Sequence, residues 1–371
     1  MIRLEPAVPE AAREAIRAPL RAFASTVVAT PVLQPLARLL DFAGEAMRAR
    51  LVVVESDSGE AMALRPDFTI AVAEQHIASG AAEGRYAYEG PAFQAGASDD
   101  PAEFLEMGVE AYGPDPDLDW QVLVAAWRAA EAGGRQDLKV KIGGVGMFRA
   151  LLKAVGASEV AQARLLRAQS DPRTLAVELD RTEAAPTSEP SRIAAMLAAL
   201  PEPDAAAALE ELWRLAGVQP VGGRGAAEIV HRLAQQGAER ATARLGPDQA
   251  DIIRRYLAVS GAPEAAIKAL RPFGREAGLD GWEEALERWL DGLRRSGLPA
   301  EAVTLSTSFA RAFGYYDGMM FEITSEAVGD GRPVAAGGRY DGLLTRLGAA
   351  QAQGAVGCMV RPWRAYAGGG A

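Results

Sequence analysis

Strand-like segments lie towards both ends of this chain with a long helical stretch between them, and this order is what most restricts the fold. Short strands in close succession favour antiparallel hairpins. We therefore expect one sheet that begins before the helical stretch and is completed after it. The expected strands are Leu51–Glu55, Ala61–Arg65, Arg85–Phe93 and Phe104–Tyr112, followed much later by Val303–Phe309, Met319–Thr324, Pro333–Ala336 and Ala355–Val360.

Helical patterns account for most of the remaining sequence. Pro35–Arg50 places its leucines on one face, and Ile70–Ser79 follows Asp67 and Thr69, whose short oxygen-bearing side chains favour a helix start. Residues 118–296 are almost entirely helical in pattern, apart from a short strand at Leu138–Ile142. The helices expected there are Trp120–Ala132, Ser191–Leu200, Ala205–Ala216, Ala226–Gln236, Gln249–Val259 and Trp282–Arg295. The expected fold class is α+β, an antiparallel sheet flanked by helices, with a helical insertion at about 170–300 inside one domain that spans residues 1–371.

Composition and charge exclude several classes of function. The net charge of -10 argues against a nucleic-acid binder, and no apolar run approaches the length of a membrane span. The single cysteine, Cys358, rules out an intrachain disulfide, and the widely separated His76 and His231 make a Cys/His metal site improbable. No secretory signal pattern opens the sequence, so a cytoplasmic location is expected and no membrane partner.

Two glutamates on one predicted strand are the first candidates for a site. Glu106 and Glu110 lie four residues apart, so their side chains share a face of the strand. One interpretation is a solvated outer face, as for most surface carboxylates. The other is a pocket floor that binds a ligand with two cationic or N–H-donating ends, which free histidine has in its ammonium group and imidazole.

Such a ligand also carries a carboxylate and a ring, and a later segment offers groups for both. Arg311 can bind a carboxylate with two parallel hydrogen bonds. The rings of Tyr315, Tyr316 and Tyr340 can flank an imidazole and hydrogen-bond to it. The alternative is that these tyrosines are simply part of the apolar core.

Taken in order, these motifs resemble the catalytic core of histidyl-tRNA synthetase, a class II aminoacyl-tRNA synthetase. Leu64-Arg-Pro-Asp-Phe-Thr69 resembles that family's Leu-Arg-Pro-Glu-x-Thr, and Glu106-Met-Gly-Val-Glu110 resembles its Gln-x-Gly-x-Glu strand. Arg311 with Tyr315-Tyr316 matches its first histidine-specific signature, and Gly337-Gly-Arg-Tyr-Asp-Gly-Leu343 is identical to its second. The resemblance covers roughly Thr30 to Arg364 and is weakest in the helical block.

The resemblance implies a role for each of these side chains. Asp67, Thr69 and Glu106 would hold the α-amino group of histidine, and Arg311 its carboxylate. Glu110 and Tyr316 would bind the imidazole, while Tyr315 and Tyr340 would line the pocket. Asp67 stands where the family has Glu, and Glu106 where it has Gln, so the pocket departs from the family in reach and charge.

The same comparison indicates that ATP handling is lost. Gln94 occupies the position of the family's ATP-binding arginine, and no Lys or Arg occurs from Tyr86 to Trp127, a stretch that holds nine acids. Losing such a positioned cation removes several kcal/mol of transition-state stabilisation. No catalytic residue, cofactor or metal is therefore expected, and no anticodon-binding domain.

Retained histidine binding without ATP handling resembles the regulatory subunits of ATP phosphoribosyltransferase. That resemblance implies a hetero-octamer with the short-form catalytic subunit, a homodimer through the first class II motif, and histidine as a feedback effector in histidine biosynthesis. Two alternatives stay open: a divergent histidyl-tRNA synthetase with residual activity, and an orphan histidine-binding module.

Overall fold

The computed structural model describes residues 5–43, 48–54, 61–95, 100–169, 171–183, 196, 200–216, 226–227, 230, 245–311, 314–329 and 331–368. The chain divides into two compact units, the first formed by Met1–Ala150 with Tyr256–Ala371 and the second by Leu151–Arg255. The second unit is helical in its described part. The bounds of the expected insertion, about 170–300, are not those of this unit, and the insertion stays a prediction.

The described elements are as follows. The helices are α1 Glu10–Phe23, α2 Leu36–Ala43, α3 Thr69–Ser79, α4 Leu118–Ala132, α5 Val145–Ala154, α6 Glu159–Ala168, α7 Pro172–Glu183, α8 Glu202–Ala216, α9 Pro247–Leu257, α10 Pro263–Glu276, α11 Trp282–Ser296, α12 Asp341–Arg346 and α13 Pro362–Ala365. The strands are β1 Thr26–Val27, β2 Leu33–Pro35, β3 Val53–Val54, β4 Met62–Leu64, β5 Gly84–Phe93, β6 Glu103–Tyr112, β7 Leu138–Gly144, β8 Ser260–Gly261, β9 Val303–Ser306, β10 Met319–Ser325, β11 Ala335–Arg339 and β12 Ala355–Val360. No described helix is long and apolar enough to cross a membrane.

One large sheet joins strands from both ends of the chain, as the strand pattern predicts. The described strands are ordered β1-β5-β6-β12-β11-β10-β7-β9-β8, and β2-β4-β3 form a small separate sheet. The large sheet is mainly antiparallel, but β1 runs parallel to β5 and β7 parallel to β9. The last strand, β12, lies directly beside β6, so the two expected halves of the sheet meet along this pair.

The two faces of β6 belong to different clusters of buried residues. Met107, Val109 and Ala111 point into a core that also contains buried residues of α1 and α4. Phe104 and Tyr112 belong to a second cluster together with residues of α2, α3 and α12. Alternation along the strand therefore puts the even-numbered glutamates on the same face as this second cluster.

Several predicted boundaries are wrong, and some predictions cannot be compared. The strand expected at Val303–Phe309 ends at Ser306, because the chain turns there and the amide N–H of Phe309 donates to Ser306 O at 3.1 Å. The strand expected at Pro333–Ala336 instead spans Ala335–Arg339. The expected helices Ser191–Leu200 and Ala226–Gln236 lie almost wholly outside the described residues.

Candidate functional site

Two buried carboxyl groups lie on the central strand β6. Glu106 is 2% exposed and Glu110 is 1% exposed, so the interpretation as a solvated outer face is wrong. Glu106 is paired with Gly90 on β5, and Glu110 with Gly357 on β12. Neither glycine carries a side chain, and the Glu110 carboxyl group occupies the position where a Cβ on Gly357 would lie. On its other side Glu110 is paired with Tyr86 of β5.

Glu110 is held by two hydroxyl groups from distant segments. Thr69 Oγ1, at the start of α3, donates to Glu110 Oε1 at 2.7 Å. The hydroxyl of Tyr340, just before α12, donates to Glu110 Oε2. A Cβ on Gly357 would lie 1.6 Å from Oε2, so this position requires glycine. The carboxyl group therefore has one well-defined position between two helix starts.

Asp67 and Glu106 complete the acidic end of the site. Asp67 Oδ1 accepts the amide N–H of Thr69 at 3.1 Å, which helps to start α3. Glu106 Oε1 is buried, and no described group donates a hydrogen bond to it. A buried acceptor without a donor is unfavourable and rare in folded proteins, so Glu106 offers an acceptor to a ligand.

Burial shifts the acidity of all three groups upwards. It raises the pKa of Asp67 to about 6 and that of Glu106 to about 8, where the charge of Asp67 adds to the effect. Burial also raises the pKa of Glu110 to about 8, although the hydrogen bonds from Tyr340 and Thr69 oppose the shift. Near neutral pH the ligand-free site therefore retains protons that a bound cation would displace.

A cavity of about 270 Å³ opens on Asp67 and Glu106, and Glu110 lies behind its lining. This is slightly below the roughly 300–1,000 Å³ of typical small-molecule sites, a size that suits a small ligand. Four arginines also line the cavity: Arg50, Arg311, Arg361 and Arg364. We call the part lined by these arginines the basic side and the part at Asp67 and Glu106 the acidic side. The cavity therefore presents both carboxyl and guanidinium groups, which matches the two charges of a free amino acid.

The aromatic groups fall into two sets. Tyr315 and Tyr316 line the cavity with ring centroids 4.8 Å apart. The ring of Tyr340 lies behind them, 5.8 Å from Tyr315. On the opposite wall Tyr88 also lines the cavity and stacks on Phe68 at 4.3 Å.

The eight residues expected to bind the ligand lie close together, but not all of them line the cavity. Six of them line the cavity: Asp67, Thr69, Glu106, Arg311, Tyr315 and Tyr316. Glu110 and Tyr340 lie immediately behind this lining and reach it through Thr69. Their role in binding stays a prediction. The sequence did not indicate Arg50, Tyr88 or Glu322 as lining residues, because each reaches the cavity only through long-range packing.

The basic side of the cavity is partly neutralised from within the chain. Asp100 forms ion pairs with Arg332 at 2.7 Å and with Arg364 at 3.1 Å. Gln94, in place of a charged side chain, donates to Pro66 O at 2.9 Å and accepts a hydrogen bond from Arg50. Part of the positive charge that could bind a phosphate group is thus already balanced by a carboxylate of the same chain.

Comparison with known proteins defines the class of the fold. A family model described as histidyl-tRNA synthetase matches residues 5–221 and 209–362. An ATP phosphoribosyltransferase regulatory subunit/histidyl-tRNA synthetase from Bacillus halodurans superposes with a TM-score of 0.67 at 21% identity, covering 97% of this chain and 80% of that one. A histidyl-tRNA synthetase from Nostoc has a TM-score of 0.60 at 16% identity, covering 98% of this chain and 74% of that one. The expected class II synthetase-like fold is confirmed.

Curated relatives define the family more narrowly. The ATP phosphoribosyltransferase regulatory subunit of Brucella anthropi is 32% identical over 344 residues, which cover 91% of each chain. That of Brucella canis is 32% identical over 351 residues, covering 92% of this chain and 93% of the relative. The chain therefore belongs to the family of ATP phosphoribosyltransferase regulatory subunits. The expectation of a regulatory subunit rather than an enzyme is confirmed at the level of the family.

Proposed function

We propose that this chain binds free L-histidine in the cavity and, as a regulatory subunit, passes that signal to the catalytic subunit of ATP phosphoribosyltransferase. The observation that carries the proposal is a group of three carboxyls with raised pKa values, the buried Glu106 and Glu110 and the half-buried Asp67, at a small cavity that arginines also line. Buried carboxyls of raised pKa destabilise the ligand-free protein near neutral pH, and a cationic ligand that binds them accounts for their presence in the site.

Each functional group of histidine has a complement within this arrangement. The ammonium group would lie against Asp67, Thr69 and Glu106, where Glu106 Oε1 is without a described donor. The carboxylate would bind Arg311, whose Nη1 already donates to Glu322 at 2.9 Å. The ammonium end and the carboxylate end of one small molecule would thus span the two sides of the cavity.

The imidazole would be bound by Glu110 and Tyr316. Because Glu110 lies behind the lining, its carboxylate becomes available when the hydroxyl of Thr69 or Tyr340 turns away from it. That rearrangement would couple ligand binding to the starts of α3 and α12, where the two hydroxyls are attached. Tyr315 would close the same wall.

We propose further that the chain does not adenylate histidine. The position of the family's ATP-binding arginine holds the uncharged Gln94, and Asp100 balances part of the positive charge of Arg332 and Arg364, so the stabilisation available to a reacting phosphate is reduced. This favours the regulatory role over a divergent synthetase.

The proposed assembly is a hetero-octamer with the short-form catalytic subunit, built on a homodimer of this chain in the cytoplasm. Apolar side chains on or next to β1, β2 and β3 support the homodimer, because they are between 38% and 56% exposed in the single chain: Val27, Val32, Leu33 and Val53. Exposed apolar clusters of this kind mark protein interfaces.

Ligand binding is tested directly on the isolated chain. L-Histidine at about 100 times its Kd should add roughly 2.7 kcal/mol to the free energy of unfolding. L-Glutamine is the matched control, because it has the same ammonium and carboxylate without the imidazole, and it should leave the unfolding midpoint unchanged. An equal shift with both ligands would contradict recognition of the ring.

Regulation is tested after mixing with the short-form catalytic subunit. Phosphoribosyl transfer should rise on mixing and fall when histidine is added, and sedimentation should detect the hetero-octamer. Histidine-dependent ATP–pyrophosphate exchange by this chain alone would instead support the divergent synthetase. Histidine binding without any effect on the catalytic subunit would support the orphan module.

A further inference from the structure

One of the four arginines that line the cavity differs from the other three in its charge balance. Three are ion-paired with carboxylates: Arg311–Glu322 at 2.9 Å, Arg361–Glu5 at 2.8 Å and Arg364–Asp100 at 3.1 Å. The fourth, Arg50, donates from Nη2 to the uncharged Oε1 of Gln94 at 2.5 Å, and within the described ranges no carboxylate forms an ion pair with it. Its positive charge is therefore the least compensated of the four.

Arg50 is nevertheless held in place at the cavity. Its carbonyl oxygen accepts the amide N–H of Ala95 at 2.8 Å, which fixes the backbone just beyond β5. Gln94, which accepts from the guanidinium, donates in turn to Pro66 O at 2.9 Å, next to the Asp67 that begins the acidic side. The guanidinium is thus held by Gln94, although Arg50 is exposed to solvent.

Arg50 also faces a second cation. Burial lowers the pKa of Arg50 from its ordinary value, and the like charge of Arg311 lowers it further, while Asp100 acts in the opposite direction. Two guanidinium groups that repel one another across a small cavity are both stabilised by an anion between them. Glu322 balances only one positive charge on that side.

We propose that Arg50 and Arg311 together bind the carboxylate of the amino-acid effector, and that Arg50 makes the site selective for ligands carrying a free carboxylate. This inference rests on the proposed function, in which free histidine occupies the cavity. Arg50 comes from the segment after α2 and lines the cavity beside Gln94. A ligand whose carboxylate is reduced to an alcohol would lose this contact and keep those to Asp67 and Glu106.

The test compares two ligands on the wild type and on three variants. Calorimetric titration of the wild type should give tighter binding for L-histidine than for L-histidinol, which has an alcohol in place of the carboxylate. Arg50→Gln should weaken histidine about tenfold, equivalent to about 1.4 kcal/mol, and leave histidinol within about twofold. Arg48→Gln is the matched control, since Arg48 is exposed two residues away and does not line the cavity; it should bind both ligands as the wild type does.

The outcomes separate this inference from the proposed function. If Arg50→Gln weakens both ligands equally, or neither, the carboxylate role of Arg50 is wrong while histidine binding itself stands. If the wild type binds no histidine, the proposed function fails and the inference fails with it. Arg50→Lys retains the positive charge and should recover part of the preference for histidine, which distinguishes charge from a purely structural effect.

Discussion

Replacing Glu110 with glutamine should stabilise the ligand-free protein and abolish its response to histidine. Glu110 is 1% exposed, and burial raises its pKa from 4.5 to about 8. The native state therefore keeps a proton that the unfolded chain releases. A raised carboxyl pKa gives stability that is complete below about pH 4.5 and is lost as the pH rises towards about 8.

The size of the effect follows from this window. Each pH unit above the unfolded pKa costs about 1.4 kcal/mol until the folded pKa is reached, so the ionisable group costs about 3 kcal/mol near pH 7. Glutamine avoids this cost but can accept only one of the hydroxyl hydrogen bonds from Thr69 and Tyr340 equally well, a loss of about 1 kcal/mol. The net expectation is about 2 kcal/mol of stabilisation near pH 7 and about zero near pH 5.

The assay is thermal unfolding followed by circular dichroism at both pH values, with and without histidine. At about 2 °C per kcal/mol for a chain of this size, the midpoint of Glu110→Gln should rise by about 4 °C near pH 7 and stay unchanged near pH 5. The histidine-induced shift should vanish at either pH, because glutamine cannot supply the anion for the imidazole.

Glu89 on β5 provides a control of opposite sign. Its hydrogen bonds with Arg17 and Arg13 outweigh burial and lower its pKa, so its contribution to stability is present near neutral pH and is lost on acidification. Glu89→Gln should therefore lower the midpoint near pH 7. A lower midpoint for Glu110→Gln near pH 7 would refute the reasoning, since Glu110 would then be an ionised, stabilising group in the empty protein.

Three further predictions concern the same site. Glu106→Gln should reduce the slope of log affinity for histidine against pH by up to about one unit between about pH 6 and 7.5, because residue 106 no longer releases a proton when histidine binds. Calorimetry at both pH values measures this slope, and an unchanged slope would contradict the prediction. Gly357→Ala places a Cβ 1.6 Å from Glu110 Oε2, so it should lower the free energy of unfolding by about 1–3 kcal/mol and impair histidine binding. In the control Gly146→Ala the new Cβ meets only ordinary contacts from 3.5 Å outwards. Equal unfolding midpoints for the two variants would argue against the collision. Asp317→Ala removes the acceptor for two backbone amides at the start of α12, at 3.1 and 2.7 Å, and should lower the free energy of unfolding by about 1–2 kcal/mol. If the variant bound histidine more tightly, a role of Asp317 in positioning the start of α12 would be contradicted.

Local periodicity was sufficient to predict the strand that carries the acidic groups. Glu106 and Glu110 are two strand repeats apart, so their common face followed from geometry alone, and the β5–β6 hairpin followed from the close succession of two strand-like segments. What periodicity could not decide was whether that face meets water. Burial depended on α3 and α12, which bring Thr69 and Tyr340 over the strand from distant parts of the sequence.

Glycines explain one of the wrong boundaries. Gly337 and Gly338 are typical of a turn, yet they lie inside β11. A Cβ on Gly337 would lie 2.2 Å from Gly357 O, so β11 and β12 approach closely only because the side chain is absent. The sequence alone does not distinguish a glycine that turns the chain from one that allows two strands to pack.

The proposal of an amino-acid site without nucleotide chemistry agrees with the charges around the cavity. Asp100 forms ion pairs with both Arg332 and Arg364, so part of the positive charge that a phosphate would bind is already balanced within the chain. Burial and the neighbouring Asp67 raise the pKa of Glu106 to about 8 although Arg361 and Arg65 oppose the shift, and burial raises the pKa of Glu110 to about 8, so a cationic ligand would stabilise the ionised form of both groups. A ligand can shift a conformational equilibrium only through a difference in affinity between the two states. Here that difference would arise where the ligand competes for Glu110, and the helix starts that hold its two hydroxyl partners are the parts of the fold that must respond.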